Sequence, residues 1–127
     1  MKGGESVARQ KTKDERIRSE KTRLRKHYKD LDAPKWALAQ GLIERAAFMR
    51  VELEDLEADL EENGWTEPFS QSPDVEPYDR ARPQGQSYQQ LNSNYQKIIK
   101  QLDAMLPKAA GQSGDGFEDF VFGRDDG

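Results

Sequence analysis

The sequence contains no cysteine and only one histidine, His27, in its 127 residues. Without thiols, neither disulfide bonds nor thiolate metal ligation is available, and one imidazole cannot build a multi-histidine metal site. The glycine-rich loops that bind phosphates or dinucleotides and the nucleophile elbow of serine hydrolases are absent as well. We therefore expect a protein that is not an enzyme and that requires neither a metal nor a cofactor.

Long hydrophobic runs are also missing. Hydrophobic residues make up 34% of the chain and charged residues 35%, against about 45–50% and about 25% in an ordinary globular domain. No segment approaches the roughly 18 apolar residues of a membrane span, and residues 1–5 lead into charge rather than into the apolar core of a signal peptide. We expect a soluble, intracellular protein without membrane contact, whose apolar residues line narrow helical seams.

The charges present are segregated along the chain. Lys and Arg outnumber Asp and Glu by 12 to 6 in residues 1–35, whereas acidic residues prevail by 9 to 2 in residues 36–72 and by 5 to 1 in residues 111–127. This distribution suggests different partners for the two ends of the chain. The basic residues of the first segment that are candidates for nucleic-acid binding are Arg9, Lys11, Lys13, Arg16, Arg18, Lys21, Arg23, Arg25, Lys26 and Lys29.

A basic helix neutralises phosphates without requiring a defined nucleotide sequence. Similar helices also bind membranes, calmodulin-like proteins or RNA, or only keep a protein soluble. Tyr28 is the single aromatic residue of the arm, so a platform for stacking RNA bases is poorly supported. His27 lies among Lys and Arg side chains, and we interpret it as one more polar group of this helix rather than as a catalytic residue.

Composition and spacing predict two helices in the first half of the chain. Residues 13–31 favour a helix with a thin apolar stripe. Asp32 is a suitable N-cap, and Pro34 in the first turn costs no hydrogen bond, so a second, long helix begins here. Asn63-Gly64 supplies its C-terminal stop.

A third helix is predicted over residues 84–106, ending at Pro107. Its apolar residues and those of the second helix both follow alternating spacings of three and four, which is typical of two helices packed as an antiparallel hairpin. The seam residues are Leu42, Ala46, Met49, Leu53, Leu56 and Leu60 on the second helix, and Tyr88, Leu91, Tyr95, Ile98, Leu102 and Met105 on the third.

The segment between these two helices, residues 65–83, contains four prolines, namely Pro68, Pro73, Pro77 and Pro83. Proline is excluded from helix interiors and central strands, so we interpret this segment as a connection. It is long for a loop in a compact domain. We expect Trp65, Phe69 and Tyr78 to tether it to the helices.

Several apolar residues lie outside the hairpin seam and indicate a further contact surface. We predict that this surface joins neighbouring subunits of a homo-oligomer. In the alternative interpretation, the first helix covers it within a monomer. The candidate interface residues are Ile43, Phe48, Val51, Ile99 and Leu106.

The last segment, residues 108–127, combines a Gly/Ser-containing spacer with an acidic, aromatic end. We expect it to be disordered when free and to order on binding another protein. The candidate docking residues are Phe117, Phe120, Val121 and Phe122. The carboxylates of the second helix, in contrast, fall between its seam positions, so we interpret Glu52, Glu54, Asp55 and their acidic neighbours as a solvated face rather than as a metal or acid–base site.

The predicted fold is therefore all-α. A basic arm and helix (residues 1–31) precede a long antiparallel helical hairpin (residues 32–107), and a flexible tail (residues 108–127) follows. The hairpin is expected to assemble into an oligomer.

Residues 41–107 resemble the small terminase subunit of tailed bacteriophages. The resemblance is carried by Gly41-Leu42-Ile43-Glu44, by Asn63-Gly64-Trp65, by residues 87–102 and by Leu106-Pro107, and the acidic, aromatic segment 117–126 is similar to the ends of such proteins. It implies a coiled-coil-rich protein that forms a homo-oligomeric ring, binds double-stranded viral DNA and delivers it to the large terminase subunit during genome packaging in the host cytoplasm. Many small terminases have an N-terminal helix-turn-helix, whereas only one basic helix precedes the hairpin here.

Two other functions remain open from the residues alone. One is a helical transcription regulator that binds DNA as a dimer. The other is a coiled-coil scaffold whose basic arm binds no nucleic acid.

Overall fold

The computed structural model describes residues 10–107, and this part of the chain is mostly helical, as predicted. Its elements are, in order, α1 (Lys13–His27), α2 (Ala33–Asn63), β1 (Thr66–Phe69), β2 (Tyr78–Ala81) and α3 (Pro83–Met105). No helix within residues 10–107 is both long and apolar enough to cross a membrane. The predictions for Arg9 and for the tail residues Phe117, Phe120, Val121 and Phe122 lie outside the described residues.

Helix α1 begins with a capping box formed by Thr12 and Glu15. The Glu15 N–H donates to Thr12 Oγ1 at 3.1 Å, and the Thr12 N–H donates to Glu15 Oε1 at 2.9 Å. These two bonds satisfy amides that a helix N-terminus otherwise leaves unpaired. The helix ends at His27 and a turn follows, in which the Leu31 N–H donates to the Tyr28 carbonyl at 3.2 Å. The regular helix is therefore shorter than the predicted 13–31.

Helix α2 has the bounds that its capping residues predict. The Asp32 carboxylate accepts a hydrogen bond from the Lys35 N–H at 3.1 Å, and Pro34 lies in the first turn. At the other end, Gly64 has a φ of 83°, a left-handed conformation that glycine adopts without strain. Since the helix has 31 residues, it is about 46 Å long at 1.5 Å per residue.

The proline-rich connection contains a β-hairpin, which the sequence did not predict. Strand β1 pairs antiparallel with β2, and Thr66 lies opposite Ala81. The Arg82 N–H donates to the Trp65 carbonyl at 2.9 Å. This bond makes Trp65 and Arg82 a hydrogen-bonded pair, and such pairs alternate along an antiparallel ladder with pairs that are not hydrogen-bonded. Pro68 and Asp79 form a pair of the second kind, so the nitrogen of Pro68 faces the free edge of β1. A two-stranded sheet consists of edge strands alone, and these accept proline.

The aromatic residues of the hairpin pack in two separate groups. Phe69 and Tyr78 contact each other edge to face, with ring centroids 5.8 Å apart, and neither belongs to the apolar cluster of the helices. Trp65 does reach α3, where it packs edge to face on Tyr88 at 6.1 Å and lies directly over Gly85. Trp65 is therefore the aromatic residue that tethers the hairpin.

Helix α3 runs back along α2. Lys35 Nζ, near the start of α2, donates to the Met105 carbonyl at the end of α3 at 3.1 Å. Near the opposite end of the pair, the Tyr88 hydroxyl donates to Glu57 Oε2 at 2.9 Å. These two contacts show that α2 and α3 are antiparallel.

The core lies where all three helices meet. Three alanines of α2 are fully buried in it, and such small side chains let neighbouring helices approach closely. Helix α1 is thus part of the folded body and not a separate arm. The buried cluster consists of Leu24, Tyr28, Leu31, Ala39, Ile43, Ala46, Ala47 and Leu102.

Candidate nucleic-acid interface

The apolar stripe of α1 fixes which side of this helix faces outward. Leu24 and Tyr28 are buried and Ile17 packs against the same cluster. These residues are spaced by seven and four, so they share one face of the helix. Tyr28 is 1% exposed, which removes it from any stacking surface. The exposed ring of His27 packs edge to face on Tyr28, with the centroids 4.7 Å apart.

The first cations of α1 form ion pairs with the acidic middle of α2. Lys13 Nζ lies 2.5 Å from Glu52 Oε2 and 3.6 Å from Asp55 Oδ2. Arg16 Nη1 donates to Asp55 Oδ1 at 2.8 Å, and Arg16 Nη2 donates to Glu54 Oε1 at 3.1 Å. The three carboxylates that we had assigned to a solvated face therefore serve as the counter-charge of α1.

These ion pairs shift the pKa values of their members in the direction of the charged forms. The hydrogen bond that Lys13 donates to Glu52 raises the pKa of Lys13, and the one that Arg16 donates to Asp55 raises the pKa of Arg16. In return, the Arg16 guanidinium lowers the pKa of Asp55. The side chains concerned are 29% to 46% exposed, and pairs in contact with water add little to stability. Their main effect is to orient α1 on α2.

Three further cations of α1 have polar partners of other kinds. Arg23 forms a bidentate pair with Glu20 of the same helix, with distances of 2.9 Å and 2.6 Å. Arg25 Nε donates to Gln40 Oε1 at 3.4 Å, and Lys11 Nζ donates to Ser19 Oγ at 2.8 Å. Of these, the Arg23 guanidinium has its charge balanced by a carboxylate, which raises its pKa.

Four predicted DNA-binding residues remain without any ion pair or side-chain hydrogen bond within residues 10–107. Arg18, Lys26 and Lys29 are exposed, whereas Lys21 is half-buried. The structure therefore divides the basic residues of the arm, which the sequence had treated as equivalent. The signal for this division was present in the opposite charges of residues 1–35 and 36–72, which we had not paired with each other.

Two of the predicted oligomer-interface residues are buried within the chain. Ile43 is 0% exposed and belongs to the core cluster. Val51 is 2% exposed and lies beside Arg16 and Arg23 of α1. Both were assigned to an interface because one partner helix could not cover them. This reason no longer holds, because α1 packs over both residues within the chain, as the alternative interpretation of a monomer proposed.

The other three predicted interface residues differ in exposure. Ile99 and Leu106 are partly buried and pack against the core cluster. Phe48 is 49% exposed on α2, and Leu38 of the same helix is 69% exposed. Sequence reasoning overlooked Leu38, although it lies off the hairpin seam just as Phe48 does. These two exposed apolar residues lie ten positions apart on α2, about 15 Å along its axis.

The described residues offer little to a small ligand. Within residues 10–107, no three His, Asp or Glu side chains come together so that they could hold a metal ion. Every buried side-chain nitrogen and oxygen in this part of the chain has a hydrogen-bond partner. The most prominent polar feature is thus the exposed, basic side of α1. Comparison of the chain with protein families, curated proteins and solved structures finds no match.

Proposed function

We propose that this chain is a small terminase subunit of a tailed bacteriophage. It acts as a non-enzymatic adaptor that binds double-stranded viral DNA and brings it to the large terminase subunit, the ATPase and nuclease of genome packaging. The observation that carries this proposal is the exposed set of cations on α1, fixed to a helical body. The segment that resembles small terminases, residues 41–107, supplies most of that body through α2, the hairpin and α3.

Binding of the full chain to duplex DNA is the first test. The protein has a net charge of −4, so binding requires a local basic surface and should weaken steeply as salt rises from about 50 to about 200 mM. Fluorescence anisotropy with a short labelled duplex measures both the affinity and its salt dependence. Absence of binding at the lowest salt concentration would contradict the proposal.

Removal of residues 1–30 does not provide a clean version of this test. Leu24 and Tyr28 are buried core residues, and deleting large apolar side chains from a core costs about 3–5 kcal/mol each. A truncated protein that lost DNA binding could have lost its fold. Substitutions of exposed cations within the intact chain avoid this problem.

Self-assembly is the second part of the proposal, and the exposed apolar residues Leu38 and Phe48 support it. Closed oligomers bury such residues in every copy. Light scattering coupled to size exclusion should show a large oligomer that the double variant Leu38→Asp/Phe48→Asp dissociates. Val75→Asp is the matched control, because Val75 is 48% exposed but lies in the hairpin.

The mass of the wild-type particle also separates this proposal from its main alternative. A dimer would favour a helical transcription regulator, and a monomer would contradict both assignments. An unchanged mass for the double variant would place the interface elsewhere.

Capture of the large subunit is the third part, and it is assigned to the segment 117–122. Aromatic side chains provide most of the binding energy in many interfaces, and surrounding charge steers the encounter. A chain ending at Ala110 should keep its oligomeric state and its DNA affinity but should not capture the large subunit or stimulate its ATPase. Capture at full strength by the shortened chain would contradict this role.

A further inference from the structure

The cations of α1 fall into two sets that differ in their partners. The bound set, Lys13, Arg16 and Arg23, has its charge balanced by carboxylates of α2 or of α1 itself. The free set, Arg18, Lys26 and Lys29, is exposed and has no ion pair or side-chain hydrogen bond among the described residues. Each set contains three positive charges, and all six residues lie on α1 except Lys29, which lies in the turn after it.

The free set follows the outward side of α1 along its length. Arg18 and Lys26 are eight residues apart, with Thr22 between them, so they lie on the same side of the helix. Their separation along the axis is about 12 Å, over which one DNA strand carries about three phosphates. Lys29 is exposed in the turn after the helix.

The bound set is in a less favourable position for phosphates. Lys13 and Arg16 could contact DNA only by leaving Glu52 and Asp55 without their counter-charges, and these carboxylates would repel the approaching phosphates. Affinity for DNA comes largely from counterions released when unpaired cations neutralise phosphates. Cations that are already neutralised within the protein contribute little to this release.

We infer that the free set binds the DNA phosphates, whereas the bound set positions α1 on the body and makes no DNA contact. The duplex then lies along α1 from Arg18 to the turn that follows the helix, away from the acidic middle of α2. This inference rests on the proposed function, namely that α1 is the DNA-binding element. Among the described candidates it selects the three that are both unpaired and exposed, since Lys21 is half-buried.

Two triple variants of the full chain test the inference. Arg18→Gln/Lys26→Gln/Lys29→Gln and Lys13→Gln/Arg16→Gln/Arg23→Gln each remove three positive charges, so their net charges are identical. Binding to a short labelled duplex is measured between about 50 and about 200 mM salt. The first variant should lower the slope of log K against log salt by about 2.7 for each bound protomer, at about 0.9 for each phosphate contact, and should weaken binding by about ten-fold or more. The second should leave the slope unchanged.

Single variants keep the test valid if the second triple variant fails to fold. Lys13 is 46% exposed and its pairs are on the surface, so Lys13→Gln should fold. It should leave the salt slope unaltered, whereas Lys26→Gln should lower the slope by about 0.9. Equal effects of the two single variants, or a larger effect of Lys13→Gln, would overturn the division of the cations.

Failure of this inference and failure of the proposed function give different results. If the wild-type chain binds DNA and the bound set carries the salt slope, only the division is overturned. If the wild-type chain binds no duplex at the lowest salt concentration, the DNA-binding function and the division are both overturned.

Discussion

The hydroxyl group of Tyr28 donates a hydrogen bond of 2.6 Å to Asp103 Oδ1, across 75 positions of the sequence. The ring of Tyr28 is 1% exposed, and this bond joins the end of α1 to the end of α3. Burial of the phenol raises the pKa of Tyr28, and the hydrogen bond to Asp103 raises it further by a smaller amount. One residue thus supplies both a core side chain and a polar link between the two helices that do not adjoin in sequence.

Tyr28→Phe should lower the free energy of unfolding by about 1–2 kcal/mol, because it removes one hydrogen bond to a charged acceptor and keeps the buried ring. Tyr28→Ala should cost about 3–5 kcal/mol, because it also opens a cavity. Urea unfolding followed by circular dichroism measures both values. Tyr78→Phe is the control, since the Tyr78 side chain is 51% exposed, and it should change stability little. Equal losses in Tyr28→Phe and Tyr78→Phe would show that the bond to Asp103 contributes nothing.

The raised pKa of Tyr28 also predicts a loss of stability in alkali. The folded chain favours the neutral phenol, so this contribution is complete below the unfolded pKa of about 10 and declines as the pH rises toward the higher folded value. The difference in stability between the wild type and Tyr28→Phe should be constant up to about pH 10 and should shrink above it. Other groups titrate alike in both proteins and cancel. A difference that is constant throughout alkali would contradict the assignment.

Two helical glycines should respond to alanine in different ways. Gly41 lies within α2 and is exposed, and nothing comes within 4 Å of a Cβ placed there. Gly41→Ala should therefore stabilise the chain by about 0.5–1 kcal/mol, the usual gain in a helix interior. Thermal unfolding provides the measurement. A destabilised variant would indicate that another surface approaches Gly41 closely.

At Gly85, in α3, the same substitution places a methyl group against Trp65, the residue that tethers the hairpin. A Cβ at this position would lie 2.9 Å from Trp65 Cε3, so the indole ring must move. Gly85→Ala should therefore fail to give the gain expected from helix propensity and should shift the emission of Trp65 to longer wavelength. A Trp36→Phe background isolates this signal, because Trp36 is the second tryptophan of the chain. An unchanged spectrum together with higher stability would show that the packing of Trp65 on Gly85 is not maintained.

Acid should weaken the junction between α2 and the start of α3. Arg82 Nη2 donates to Asp59 Oδ2 at 2.8 Å, and Arg82 Nη1 donates to the Gly64 carbonyl at 2.6 Å. The Arg82 guanidinium lowers the pKa of Asp59. The contribution of this carboxylate is thus complete above its unfolded pKa of about 3.9 and is lost as the pH falls through the lower folded value.

The variant Asp59→Asn reveals this contribution by comparison with the wild type. Its melting temperature should lie below that of the wild type near neutral pH and should converge with it as the pH falls below the unfolded pKa of about 3.9. Asp74→Asn is the control, because Asp74 is exposed in the loop of the hairpin, and its melting curve should follow that of the wild type throughout. A constant gap between Asp59→Asn and the wild type would exclude ionisation as the cause.

Features set by local chemistry could be predicted from the sequence. Asp32 with Pro34 and Asn63 with Gly64 marked the ends of α2, because capping depends on residues next to each other in the chain. The β-hairpin was missed for a physical reason as well. Proline excludes a central strand, but Pro68 faces the free edge of a sheet that has only two strands.

Features set by distant contacts could not be predicted in the same way. Arg16 and Asp55 are 39 residues apart, and nothing local shows that they pair. The burial of Ile43 and Val51 likewise depends on where α1 packs. The sequence proposed α1 as a whole for the interface, whereas the division of its cations required the positions of the neighbouring helices.

The packing of Leu24 and Tyr28 in the core has a thermodynamic consequence for the proposed binding of DNA. Because α1 is already folded in the free chain, no conformational entropy is lost in ordering this helix when DNA binds. Coupled folding and binding gives a large negative change in heat capacity, since it buries much apolar surface. Binding through the exposed side of a preformed α1 should instead show a small heat-capacity change, with an association rate governed by electrostatic steering rather than by helix formation.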